Sequence, residues 1–141
     1  MRIAVVDGQG GGIGKAIVEK LRTLLGSELE ILALGTNALA AALMLKAGAN
    51  EGASGENAIV VNAPKVDVIV GSVGIISANS MLGELTEKMA VAISQSPAKK
   101  VLIPLNKCNI HIAGIKNEPL PHYIDDAVEL VKTFIGGSRH V

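Results

Sequence analysis

A chain of 141 residues has room for one domain, and at 49% apolar against 18% charged residues it is too hydrophobic to be disordered. Thirteen basic residues cancel thirteen acidic ones, so no net field draws the protein to nucleic acid or to an anionic membrane. Tyr123 and Phe134 are the only aromatic residues, which leaves nothing from which to build a base-stacking platform.

The first apolar run, residues 3–6, ends at Asp7 and is too short for the core of a signal peptide. The longest, residues 38–45, falls far below the roughly 20 residues needed to cross a bilayer. A lone cysteine, Cys108, cannot close an internal disulfide, which suits a reducing compartment. These features predict a cytoplasmic protein with neither a membrane nor a nucleic acid as partner.

Residues 3–6 read as a strand buried on both faces, broken by a glycine-rich stretch from Gly8 to Gly14. From Ile13 the apolar residues Ile17, Leu21, Leu24 and Leu25 recur at helical spacing until Gly26 stops them. A second strand is predicted over residues 29–34 and a helix over 37–47, with Asn37 placed to cap it. Residues 48–55 read as a loop, and residues 57–63 as a short helix ended by Pro64. A third strand follows at 66–70, then a long connection over 72–83 and a helix over 86–95. Residues 101–105 and 110–115 read as a fourth and a fifth strand, the latter antiparallel or a bent continuation of the fourth, because four residues are too few for a parallel crossover. A last helix spans 122–135, its inward face Ile124, Val128, Val131 and Ile135.

This alternation predicts an α/β fold: one mostly parallel sheet of four to five strands with helices on both faces, residues 1–141 forming a single domain. In such sheets a ligand sits beyond the carboxyl ends of the strands, where the strand order reverses.

The first loop, Asp7-Gly8-Gln9-Gly10-Gly11-Gly12-Ile13-Gly14-Lys15, carries most of the chemical information. A helix N-terminus offers unpaired N–H groups, and glycines let a phosphate approach them without a Cβ in the way. The spacing is not that of a Walker loop, because Ala16 stands where a hydroxyl should meet magnesium. The triplet Gly8, Gly12, Gly14 reads Gly-x-x-x-Gly-x-Gly, which resembles the cofactor loop of the short-chain dehydrogenase/reductase family. In that family these glycines face a dinucleotide pyrophosphate. Its Tyr-x-x-x-Lys pair is missing here, since Ala127 lies four residues after Tyr123, and this excludes its chemistry. The acid that would hold a ribose at the end of the second strand is replaced by Thr36 and Asn37.

Over its whole length the sequence resembles a small bacterial family, domain of unknown function 3842. The resemblance rests on the opening Met-Arg-Ile-Ala-Val-Val-Asp-Gly-Gln-Gly-Gly-Gly-Ile-Gly-Lys, on Ala78-Asn79-Ser80-Met81, and on Ala98-Lys99-Lys100-Val101-Leu102-Ile103-Pro104-Leu105-Asn106. It implies a Rossmann-like single domain and brings no activity with it.

The expected ligand is a nucleotide or phosphorylated metabolite, with NAD(P) among the cofactors the loop would admit. Its binding residues are expected to be Asp7, Gly8, Gly10, Gly11, Gly12, Ile13, Gly14 and Lys15 in the first loop, Thr36 after the second strand, and Gly71, Ser72 and Asn79 in the long connection. For Asp7 the roles open to it are a metal, a ribose hydroxyl or a loop amide. The alternative function is a nucleotide- or NAD(P)-dependent enzyme whose site a second subunit or partner completes, with Asp7, Ser72, Asn79 and Cys108 as its polar groups. Cys108 and His111 lack the second pair that a structural zinc needs, so no metal is expected. Residues 37–47 are apolar around nearly the whole helix, which predicts a homo-oligomer formed through it.

Overall fold

The computed structural model describes residues 1–105 and 109–139, and for residues 137–139 the backbone only. Five strands form one all-parallel sheet in the order β3-β2-β1-β4-β5. They are β1 Arg2–Asp7, β2 Glu30–Gly35, β3 Glu51–Ser54, β4 Val68–Ser72 and β5 Lys99–Ile103. The chain runs outward from β1 through β2 to β3, then returns to place β4 on the other side of β1. The order therefore reverses between β1 and β4, and the loops after these two strands define the crevice where a parallel sheet can hold a ligand.

Alternation along β1 divides the core in two. Ile3 and Val5 face a cluster that contains Ile17, Val18 and Leu21 of helix α1 (Gly12–Leu25), Met44 of α2 (Ala38–Ala47), and Ile124, Val128 and Val131 of α5 (Leu120–Arg139). Ala4 and Val6 face the opposite cluster, with Ile59 of α3 (Glu56–Asn62) and Met89 and Ile93 of α4 (Glu87–Gln95). Both faces are covered, which is why β1 and β4 read as continuous apolar runs. Local signals set the helix starts: Asn37 Oδ1 accepts from the Ala40 N–H at 2.8 Å, and Thr86 Oγ1 from that of Met89 at 3.2 Å. Among the described residues no helix is long and apolar enough to cross a membrane.

Two expectations are corrected. Residues 48–55, read as a loop, contain β3, whose sequence Glu-Gly-Ala-Ser lacks any β-branched residue. It pairs through its backbone, Leu32 opposite Glu51 to Gly35 opposite Ser54, and as an edge strand it needs no apolar face. Residues 110–115, read as a fifth strand, form no strand. Left-handed backbone at Asn109 (φ 56°) and Gly114 (φ 85°) breaks the extension, and Ile112 and Ile115 are exposed.

Candidate functional site

The loop that joins β1 to α1 is held from below by Asp7. This buried carboxylate accepts the Gly8 N–H on Oδ1 at 2.8 Å and the Gly14 N–H on Oδ2 at 2.6 Å. It thus caps the third residue of α1 from outside the helix, in place of Gly11, which has no side chain to do so. Of the three roles open to Asp7, the structure shows the loop amide. Between these two bonds the chain turns tightly, closed by the Gly11 N–H donating to Gly8 O at 3.0 Å.

The five glycines of this loop have different physical reasons. A methyl group on Gly8 would lie 2.2 Å from Thr36 Oγ1 and 2.7 Å from Met81 Sδ; on Gly14, 2.5 Å from Met44 Sδ. Gly11 has a left-handed φ of 76°, and its methyl would stand 2.9 Å from Ala40 Cα. Internal packing explains these three. At Gly10 and Gly12 a methyl would meet nothing within 4 Å, and neither has a positive φ. The N–H groups of Gly10, Gly12 and Ile13 have no acceptor among the described residues.

All three residues line a cavity of about 510 Å³ between the two loops of the crevice, within the usual range for small-molecule sites. Ser72, the last residue of β4, forms one wall with Val73 and Gly74, Met81 and Leu82 form its rim, and Leu105 and Leu120 its far side. The rim is strained: Asn79, Met81 and Leu82 have φ of 66°, 58° and 56°, a conformation costing about 1–2 kcal/mol per non-glycine residue. Ser80 anchors it, its buried hydroxyl donating to Gly74 O at 2.6 Å. Leu82 is 97% exposed.

Beyond the rim, Glu84 ties three loops together through one atom. Its Oε1 accepts the Gln9 N–H at 2.9 Å, the Thr36 hydroxyl at 2.7 Å and Asn37 Nδ2 at 2.8 Å. The Thr36 hydroxyl above all, then the Gln9 amide and Asn37, hold its carboxyl below the usual glutamate range. A depressed folded-state pKa stabilises the fold above the unfolded value, and that contribution is lost as pH falls through the folded one. Urea denaturation of wild type and Glu84→Gln is expected to show a wild-type advantage at pH 7 that shrinks below the ordinary glutamate value of about 4.3. An advantage independent of pH would contradict this role for the charge.

The structure gathers Asp7, Gly8, Gly10, Gly11, Gly12, Ile13 and Ser72 around one cavity. Gly14 lies beneath the loop, with its amide spent on Asp7. Lys15 points away, lining a smaller cleft with Glu19, Leu43 and Lys46. Thr36 sits on the β2 side of the loop and donates to Glu84. Gly71 is buried in the sheet, its methyl position 2.8 Å from Val6 O, and Asn79 is exposed, its N–H donating to Leu85 O. Cys108 and the rest of 106–108 fall outside the described residues. The sequence reading missed Glu84, Leu82, Leu105 and Leu120, because only the folded chain brings them to the loop.

No curated protein and no solved structure matches the chain. One family model does, over residues 2–136, nearly the whole length. Its description, domain of unknown function, assigns no activity, and the five-stranded parallel sheet flanked by helices is the Rossmann-like arrangement the resemblance implies. The chain is a member of the DUF3842 family.

Proposed function

We propose that this protein binds a small phosphate-containing ligand, a nucleotide or phosphorylated metabolite, in the cavity between the β1–α1 and β4 loops. The observation that carries this reading is the pair Gly10 and Gly12, two glycines that neither packing nor backbone conformation requires and that border the cavity. With Ile13 they offer three N–H groups at the positive end of a 14-residue helix, where an anion is favoured. A binding module is preferred to an enzyme because Asp7, the first candidate for proton transfer, already accepts an amide hydrogen on each carboxylate oxygen.

Gly10→Ala and Gly12→Ala test it. Both variants should remain within about 1 kcal/mol of wild type, since a methyl at either position meets no atom. In a thermal-shift panel of nucleotides and sugar phosphates, a compound that raises the wild-type melting temperature should lose at least about tenfold in affinity in both, a loss of about 1.4 kcal/mol. Equal stabilisation of wild type and variants would place the ligand elsewhere.

A second copy of the chain is proposed to cover α2. One chain buries Ala40, Ala41 and Met44 but leaves Leu39 59% and Leu45 45% exposed on a helix whose only charged residue is Lys46. Light scattering at micromolar concentration should give at least twice the chain mass, reduced to one chain by Leu39→Glu. A single-chain mass for wild type would remove this part.

A further inference from the structure

In a dinucleotide-binding sheet the adenosine half lies over the ends of β1 and β2, where an acid near the end of β2 accepts the ribose hydroxyls. Here the chain itself occupies that place. Thr36 and Asn37, the residues following β2, donate to Glu84 Oε1 at 2.7 and 2.8 Å, and the Gln9 amide joins them at 2.9 Å. Asn37 Nδ2 also donates to Gln9 O at 3.0 Å, which ties the β2–α2 junction directly to the glycine loop. Met81 Sδ and Glu84 Oε1 press on Gly8 from above, 2.7 and 3.2 Å from where a methyl would stand. Left-handed φ at Gln9 (49°) and at Met81 shows the backbone held under strain on both sides of this contact.

The cavity extends toward β4: Ser72, Val73 and Gly74 line it and Thr36, Asn37 and Glu84 do not, while Gly8, Gln9 and Met81 stand between it and the Glu84 bridge. Its anion-binding face is three amides, enough for the oxygens of one phosphoryl group. Met81, Leu82, Leu105 and Leu120 supply an aliphatic surround, and no Lys, Arg or His stands among the described residues of the wall. A dinucleotide laid across the ends of β1 and β2 would meet the Glu84 bridge, where Thr36 and Asn37 already spend their donors on Oε1.

We infer that Glu84 sets the ligand class of this site, closing the adenosine side of the crevice so that the cavity takes a compact monophosphate ester with an aliphatic body and rejects dinucleotides. The inference rests on the binding site proposed above and narrows what it accepts.

Titration calorimetry with n-hexyl phosphate and with NAD tests it on wild type, Glu84→Ala and Glu84→Gln. Wild type should bind hexyl phosphate at least tenfold more tightly than NAD. Glu84→Ala, which frees Thr36 and Asn37 and removes the charge, should gain at least tenfold for NAD and change little for hexyl phosphate. Glu84→Gln keeps the bulk of the bridge and should gain less, so the comparison survives if the alanine variant fails to fold. Wild type binding NAD as tightly as hexyl phosphate, or folded variants with no gain for NAD, would overturn the role of Glu84 while leaving the site intact. Heat from neither probe in any of the three proteins would overturn the site itself, and this inference with it.

Discussion

Replacing Asp7 with alanine is expected to cost about 4 kcal/mol of stability. The carboxylate is 6% exposed and accepts two amide hydrogens, at 2.8 and 2.6 Å, from Gly8 and Gly14, which are themselves buried. Charge-assisted bonds of this kind are worth about 1.5–3 kcal/mol each, and a buried donor left without an acceptor costs about 1–3 kcal/mol. The negative charge near the first turn of α1 is lost as well. Asp7→Asn keeps one acceptor oxygen and should cost about half as much. Urea denaturation measures both, and an alanine variant within about 0.5 kcal/mol of wild type would show that the carboxylate does not hold the loop.

Gly11→Ala is the second large effect, with Gly10→Ala as its control in the neighbouring position. At Gly11 a Cβ must adopt φ 76°, which costs about 1–2 kcal/mol, and it would stand 2.9 Å from Ala40 Cα. The clash is with backbone, so α2 must move away from α1, at about 1–3 kcal/mol for such overpacking. The sum is a loss of about 3 kcal/mol, against little change at Gly10, where the added methyl meets nothing within 4 Å. Equal losses at the two positions would contradict the division of this loop into packing glycines and cavity glycines.

That division marks the limit of what the sequence could disclose. Its local features were legible: the run around Val5, the glycine loop, the cap at Asn37 and the inward face of α5 all depend on neighbours within a few residues. β3 was hidden because an exposed edge strand of Glu, Gly, Ala and Ser carries no apolar alternation to read. Residues 110–115 misled for the opposite reason, an aliphatic pattern that the left-handed residues around it prevent from extending. In the site, Asp7 and Ser72 were legible because they end strands at the expected crevice. Glu84 was not, since it is one acid between the long connection and the helix that follows, and it reaches Gln9 across 75 residues of sequence. Five glycines look alike on paper; contact with Met81, Ala40 and Met44 separates three of them from the two that border the cavity.

The most direct measurement is the amide spectrum of ¹⁵N-labelled protein during titration with hexyl phosphate. The cross-peaks of Gly10, Gly12 and Ile13 are expected to move together and saturably, while that of Gly14, already bonded to Asp7, moves far less. Stationary peaks at residues 10, 12 and 13 throughout the titration would contradict an anion site at this helix start.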